Sequence, residues 1–260
     1  MIRYAACVEY RGCAYSGWQK QHHAHSVQSA VENAVSRVAD GNIDVVASGR
    51  TDTGVHATGQ VIHFDSPVSR KDHEWLRGIN TYLPADIRII WVTQAGDDFH
   101  ARFKALDRSY RYVILNRHVA PACLSGLVTW HRQALDIGQM KAAAQAFLGE
   151  HDFSAFRAAG CQNRNPVKRV TNLALGREGD WLWMDITANG FLHHMVRNII
   201  GVLLQVGEGR QHRIWASEVL ASLDRTRGGI TAPADGLYFV AASYSPAYQL
   251  PAMPPACRFW

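Results

Sequence analysis

The chain has 260 residues, of which 47% are hydrophobic and 19% are charged, so it can bury a sizeable core and is not a disordered protein. Its 27 Lys and Arg against 22 Asp and Glu give a formal net charge of +5, which suits a polyanionic partner without identifying one. No apolar run reaches the roughly 18 residues of a membrane span, and the N-terminus lacks the pattern of a secretory signal. The five cysteines are widely spaced and form no CxxC pair, which indicates reduced thiols in a cytoplasm and argues against a thiolate zinc site.

The first half of the chain is predicted to alternate strands and helices. Apolar alternation predicts a strand at Ile2–Tyr10, and helical spacing from Val27 to Val38 predicts a helix with Ser26 as its N-cap. The other predicted elements of this half are a strand at Ile43–Val46, a strand at Gln60–Asp65, a helix after a capping box at Ser69 and Asp72, and a strand at Ile87–Thr93.

The second half repeats this rhythm. Its predicted elements are strands at Ser109–Asn116, Val170–Leu175, Trp181–Ala188 and Gly236–Tyr244, and helices after Asp136, from about Leu192 to Val206 and at Ile214–Leu223. We therefore expect an α+β fold of two ferredoxin-like (RRM-like) units, 1–104 and 105–245, whose mainly antiparallel sheets form a catalytic cleft between them. Helices would cover one face of each sheet and leave the other free, as in many RNA platforms, and 246–260 would be an irregular tail packed on the surface.

A loop rich in glycine, between two predicted strands, carries the most informative chemistry: Gly49-Arg50-Thr51-Asp52-Thr53-Gly54-Val55-His56. Its glycines permit a tight, exposed turn that can hold the carboxylate of Asp52 beside Arg50. An adjacent guanidinium favours the ionised carboxylate, which is a competent nucleophile and a poor general acid. The same residues also fit an ordinary turn in which Asp52 accepts hydrogen bonds from backbone N–H groups, and spacing alone does not separate the two.

Segments in this order over nearly the whole chain resemble motifs of the TruA family of tRNA pseudouridine synthases: Gly17–Gln21, Gly49–Val61, Asp98–Phe103, Tyr110–Tyr112, Gly149–Phe156, Phe191–Asn198 and Gly236–Tyr238. The resemblance implies an enzyme that isomerises uridine to pseudouridine at positions 38, 39 and 40 of the tRNA anticodon stem-loop. It also implies a homodimer that uses neither a cofactor nor a metal. The uracil never leaves the site in this reaction, so no water has to be activated by a metal.

The same resemblance assigns roles to single residues. It implies that Asp52 is the nucleophile, which attacks either C1′ of the ribose or C6 of the base, and that Arg50 helps to hold the target nucleotide out of its stack. Tyr110 would stack on the target base, Arg197 would pair with the catalytic carboxylate, and Leu237 would cover the uracil ring. Without the resemblance, these last three positions are interpreted as a sheet-face aromatic residue, a helix-surface arginine and a core leucine.

Two positions depart from the family pattern, and two other functions stay open. Thr53 stands where the family usually has Ala, and we expect its side chain to point away from the substrate or to donate to local backbone. Arg11 stands where an acidic or small residue is commoner, and is a candidate phosphate contact.

The cluster His22–His25 lacks the spacing of a known zinc motif, so a solvated loop is the preferred interpretation. The rival functions are a tRNA-binding protein of the same fold with a silent site, and a metal-dependent hydrolase that uses Asp52 with histidines.

Overall fold

The protein is described by a computed structural model, which covers residues 1–21 and 23–260. In chain order, the first strands and helices are β1 (Ile2–Tyr10), α1 (Val27–Ala39), β2 (Val46–Ala47), β3 (His56–Ser66), α2 (Asp72–Tyr82) and β4 (Ile87–Gln94). They are followed by β5 (Asp107–Asn116), β6 (Thr129–His131), α3 (Ile137–Ala144), β7 (Gly149–Asp152), β8 (Val167–Glu178), β9 (Trp181–Ala188), α4 (Met195–Gly207), α5 (Trp215–Ser222) and β10 (Leu237–Ser243). The fold is therefore mixed α/β with mostly antiparallel strand pairs. Within the described residues, every helix is too short or too polar to cross a membrane.

The chain forms two compact units, of which the first consists of Met1–Arg108 and Tyr238–Arg258. In this unit β1 pairs antiparallel with β3 and β4, and β2 pairs antiparallel with β3. Its elements from β1 to β4 thus follow the order βαββαβ. The strand β10 joins from the far end of the chain by pairing in parallel with β3, with Tyr238 opposite His56. The predicted bounds 1–104, 105–245 and 246–260 stay a prediction of domain organisation.

The second unit consists of Ser109–Leu237 and Phe259–Trp260. Its sheet runs β5, β9, β8, β7, with β6 added in parallel to β5. The guanidinium of Arg111 on β5 donates to both carboxylate oxygens of Asp185 on β9, at 2.7 and 2.8 Å. These paired bonds fix the register of the two neighbouring strands.

Both faces of the first unit's sheet are covered. On one face, the ring of Trp75 from α2 packs 5.3 Å from Tyr4 and 5.1 Å from Phe64. On the other face, a buried cluster that includes Cys7 and Val61 is covered by side chains after β10, namely Tyr244, Tyr248, Leu250 and Met253. The expectation of a free sheet face is therefore wrong for this unit, because side chains from the end of the chain pack against this face.

Local signals predict the helices better than the short strands. The helix α1 is confirmed, with the side chain of Ser26 accepting from the N–H of Ser29. The predicted strand Ile43–Val46 is wrong except at its last residue. The N–H groups of Ile43 and Val45 donate instead to the side chains of Ser36 and Glu32 on α1, at 2.9 and 3.2 Å.

Two helix starts differ from the prediction. The helix α2 begins at Asp72 after Lys71, whose N–H donates to the Glu74 carboxylate at 2.8 Å, so the cap lies two residues after Ser69. The helix α4 begins at Met195 rather than Leu192, because His194 at its N-cap has a left-handed φ of 62°.

Candidate active site

Residues 48–55 form the loop between β2 and β3, as predicted. The N–H of Val55 donates to the carbonyl oxygen of Asp52 at 3.1 Å, and Gly54 has a φ of +82°. A hydrogen bond over four residues with a left-handed third residue describes a type II turn. Asp52 stands at its first position, half-buried, while Thr53 points out as an exposed residue.

Thr51, the residue before Asp52, is held by hydrogen bonds to the end of β1 and to the segment that precedes α1. The carbonyl oxygen of Thr51 accepts a hydrogen bond from the N–H of Trp18 at 3.1 Å. The hydroxyl of Thr51 is hydrogen-bonded to the hydroxyl of Tyr10 at 2.7 Å. Gly17 lies directly beneath with a φ of +83°, and a Cβ there would approach the Thr51 oxygen to 2.5 Å. Only a glycine at this position allows the backbone that carries Asp52 to pack so closely.

The end of the loop is fixed by a buried histidine. His56 is fully buried, and its Nδ1 accepts from the N–H of Gly12 at 3.0 Å. Its ring stacks on Tyr238 with the centroids 4.6 Å apart. A Cβ on Gly12 would collide with the carbonyl oxygen of Val55, so the backbones are in direct contact here as well.

The start of the loop is held by Gln60 and Arg108, two supports that the sequence did not reveal. The buried amide of Gln60 accepts from the hydroxyl of Ser48 at 2.8 Å and donates to the carbonyl oxygen of Gly49 at 2.5 Å. The guanidinium of Arg108 donates to the carbonyl oxygen of Ser48 at 3.1 and 3.3 Å. Gln60 could have been noticed as a polar residue within an apolar strand, whereas nothing in the sequence around Arg108 indicates its role.

The five predicted site residues fall into two groups. Asp52 and Arg50 lie on this loop of the first unit, where Arg50 is exposed. Tyr110, Arg197 and Leu237 belong to the second unit, on β5, in the first turn of α4 and at the start of β10.

In the second unit, Arg197 and the segment before β10 are joined by hydrogen bonds. The Nε of Arg197 donates to the carbonyl oxygen of Ala232 at 2.7 Å, and the N–H of Ala232 donates back to the carbonyl oxygen of Arg197 at 3.1 Å. The N–H of Val113 on β5 donates to the carbonyl oxygen of Gly236, the residue before Leu237, at 2.8 Å. Leu237 itself is only 4% exposed, which also fits its interpretation as a core residue.

The orientation of Arg197 is further fixed by its neighbour Asn198, which is 1% exposed. The Asn198 amide donates to the carbonyl oxygen of Phe156 at 2.7 Å, and its oxygen accepts from Arg225 at 3.0 Å and from Thr231 at 2.7 Å. All polar atoms of this side chain are satisfied, so the first turn of α4 is held rigidly. This support was missed at the sequence level, where Asn198 was only part of a motif.

Tyr110 on β5 is half-buried, and its ring meets that of Phe191 edge to face at 5.0 Å. The second tyrosine of the same strand differs, because Tyr112 is buried and its hydroxyl donates to the carbonyl oxygen of Pro233 at 2.8 Å. Burial raises the pKa of Tyr112. Of the two, Tyr110 is therefore the one whose ring can still meet a ligand.

Part of the histidine cluster can be placed. Residue 22 lies outside the described residues, so the predicted loop His22–His25 is seen only at its later positions. His23 and His25 are exposed, and the carbonyl oxygen of His25 accepts from the N–H of Ser16 at 2.8 Å.

The first unit thus presents one half-buried carboxylate on a loop that is braced at its start, middle and end. These contacts fix the backbone that carries the carboxylate, and a fixed backbone position favours nucleophilic attack by an Asp side chain.

Comparison with known proteins finds relatives that match this chain over nearly its whole length. A family profile described as tRNA pseudouridine synthase matches residues 6–104 and 143–245. A protein of Hydrogenovibrio crunogenus named tRNA pseudouridine synthase A is 53% identical over 251 residues, which are 96% of this chain and 96% of that protein. Proteins of the same name from Thiobacillus denitrificans and Coxiella burnetii are 49% and 46% identical. These two cover 96% and 98% of this chain, and 96% and 97% of their own lengths.

Proposed function

The chain belongs to the tRNA pseudouridine synthase family, whose members are isomerases, and on that premise we propose that it converts uridine to pseudouridine at positions 38, 39 and 40 of the tRNA anticodon stem-loop. The observation that carries the proposal is the placement of Asp52 at the head of a braced turn, half-buried and on the loop that resembles the family's signature.

We propose that Asp52 is the nucleophile. A carboxylate oxygen bonds to C1′, and the N1–C1′ bond breaks with its electron pair passing to the uracil. The freed uracil turns, its C5 bonds to C1′, and the carboxylate leaves. The proton lost from C5 is balanced by one gained at N1, so substrate and product are isomers. Attack at C6 instead of C1′ would use the same carboxylate and give the same overall balance.

This balance supports a reaction without a cofactor or metal. Every atom of the nucleotide is retained, so neither a hydrolytic water nor an electron acceptor takes part. The work left to the protein is to position the reacting groups and to hold the nucleotide out of its stack, which costs a few kcal/mol.

The other predicted site residues have roles in the same proposal. The exposed Arg50 helps to hold the target nucleotide out of its helix, and the half-buried Tyr110 stacks on the uracil. Arg197 and Leu237 bind the same nucleotide. Their support is that the segment 232–237 is hydrogen-bonded to both α4 and β5, which gives both residues fixed positions.

Three broader statements complete the proposal. Both units are ferredoxin-like, the protein acts in the cytoplasm, and it forms a homodimer. The first is supported by the βαββαβ order of the first unit, and the last is tested by sedimentation of the purified protein.

The test is to map pseudouridine in an unmodified tRNA transcript after incubation with the wild-type protein, by carbodiimide labelling and primer extension. We expect new pseudouridines at whichever of positions 38, 39 and 40 carry uridine, and none in a transcript with cytidine there. Conversion only at other positions would refute the site assignment, and tight binding without conversion would favour the silent tRNA-binding protein.

A second arm addresses the metal-dependent alternative. The protein is dialysed against a chelator and assayed in the chelator's presence. We expect unchanged turnover, whereas a loss that is restored by a divalent metal would contradict the cofactor-free reaction.

A further inference from the structure

A turn after β4 presents an aromatic ring that the packing of the first unit leaves uncovered. Phe103 is 74% exposed, although large apolar side chains are normally buried. The ring of His100 stacks on it with the centroids 4.3 Å apart and the planes at 28°. The guanidinium of Arg102 lies 5.6 Å from its centroid. The ring is thus ordered in solvent by two neighbours that can both stack with aromatic systems.

The turn that holds this ring is rigid. The Nδ1 of His100 accepts from the N–H groups of Arg102 and Phe103, at 3.2 and 3.1 Å, and the N–H of Lys104 donates to the carbonyl oxygen of His100 at 3.0 Å. Burial lowers the pKa of His100, and the nearby positive charge of Arg3 lowers it further. The imidazole therefore stays neutral at pH 7 and keeps its acceptor nitrogen.

The same turn is tied to the loop that carries Asp52. The guanidinium of Arg108 donates to the carbonyl oxygen of Arg102 at 2.6 Å and to that of Ser48 at 3.1 Å. The side chain that fixes the start of the Asp52 loop therefore also fixes the residue before Phe103. The exposed ring and the proposed nucleophile are parts of one rigid framework.

The charges around the ring indicate the kind of partner. Arg102 and Lys104 flank Phe103 in the sequence and are both exposed. The exposed carboxylate of Asp98 lies 3.8 Å from the Lys104 ammonium. A ring between two cations suits a nucleotide, whose base stacks while its phosphates meet the cations, better than an apolar protein surface.

We propose that Phe103, with His100 and Arg102, forms a stacking platform for an unpaired tRNA base other than the target uridine. The identity of the RNA rests on the proposed function. The platform contributes affinity rather than chemistry, because it contacts a nucleotide that does not react. In other proteins such stacking is worth roughly 5- to 150-fold in affinity for each base.

The experiment measures the Kd of an unmodified tRNA transcript for three variants at one fixed salt concentration. Phe103→Ala removes the ring, Phe103→Leu keeps apolar bulk without a π face, and Phe103→Trp keeps a π face. The matched control is Tyr82→Ala, since Tyr82 is another exposed aromatic residue, 49% exposed, with the guanidinium of Arg37 5.2 Å from its centroid.

We expect Kd to rise about tenfold for Phe103→Ala and Phe103→Leu, with Phe103→Trp and Tyr82→Ala within about twofold of wild type. Wild-type affinity in Phe103→Ala, or an equal loss in Tyr82→Ala, would overturn the proposal. A changed sedimentation coefficient for Phe103→Ala without RNA would also overturn it, in favour of a contact with a second copy.

Pseudouridine mapping with the wild-type protein separates this proposal from the proposed function. A wild-type protein that converts uridine while Phe103→Ala binds normally refutes only the platform. A wild-type protein that converts nothing, but binds tRNA in a manner that depends on the ring at Phe103, refutes only the proposed reaction.

Discussion

Replacing Gly17 by Ala tests whether the loop that carries Asp52 depends on the backbone packed beneath it. A Cβ at Gly17 would lie 2.5 Å from the carbonyl oxygen of Thr51 and 3.1 Å from the carbonyl carbon of Asp52. Both atoms are backbone, so no side-chain rotation can relieve the contacts. The Thr51 carbonyl must retreat to about 3.4 Å for ordinary contact, which moves the adjoining Asp52 by a large part of an ångström.

Two costs follow for Gly17→Ala. The left-handed φ costs an L-residue about 1–2 kcal/mol, which lowers Tm by about 2–8 °C for a chain of this size. Displacing the proposed nucleophile by close to 1 Å costs up to about 100-fold in rate. We therefore expect kcat to fall by about 10- to 100-fold, while the Kd for tRNA stays within about threefold, a change of less than 1 kcal/mol.

Substitutions of three further glycines separate the loss of stability from the loss of rate, which are measured by thermal melts and single-turnover assays. Gly209 has a φ of +73° with open space around it, so Gly209→Ala should lower Tm and leave turnover unchanged. Gly12 carries no positive φ but abuts Val55 at the end of the loop, so Gly12→Ala should slow turnover as well. Gly41, with its nearest neighbour at 4.0 Å, should change neither. Turnover by Gly17→Ala equal to that of Gly209→Ala, at similar Tm, would show that the close packing of Gly17 against Thr51 does not position Asp52.

Three other predictions concern the loop, the substrate and a buried histidine. Thr53→Ala should turn over within about twofold of wild type, a difference of about 0.4 kcal/mol, because the side chain is exposed beyond the turn; a markedly faster variant in single-turnover assays would contradict an outward Thr53. The Kd for tRNA should rise at least about tenfold between 50 and 200 mM salt, because phosphate contacts release counterions; a flat response in a filter-binding titration would contradict a polyanionic substrate. Burial, aided by His100 and Arg3, lowers the pKa of His63 to about 4. The stabilisation by neutral His63 is therefore complete above about pH 6.5 and is lost as pH falls toward 4. Measured by urea unfolding, the free energy of unfolding should decline less over that pH range in His63→Asn than in the wild type. An equal decline in both proteins would contradict a contribution of buried His63 to the pH dependence of stability.

Elements specified by local patterns were predictable from the sequence. The helix α1 follows from apolar spacing and the Ser26 cap, both of which act within a few residues. The loop at 48–55 follows from its glycines. The short strand β2 was misplaced because the side chains of Ser36 and Glu32 compete for backbone N–H groups that a strand would use, and periodicity does not report such competition.

Contacts between distant parts of the chain were not predictable in this way. The pairing of β10 with β3 and the covering of Cys7 by the tail depend on tertiary packing. The alternation of apolar residues along a strand carries no information about such packing. The same holds within the candidate site. The role proposed for Asp52 comes from a resemblance of motifs, but the supports of its loop, Gln60 and Arg108, act through hydrogen bonds to backbone that only the fold brings close.

The proposed role of Asp52 is tested by comparing Asp52→Asn with Asp44→Asn, because Asp44 is an exposed carboxylate of the same unit. Both variants keep the side-chain size and remove one negative charge. We expect no detectable pseudouridine from Asp52→Asn, with a tRNA Kd close to wild type, and normal turnover from Asp44→Asn. Turnover of Asp52→Asn within about tenfold of wild type, or ~1.4 kcal/mol, would contradict an obligatory nucleophile at this position.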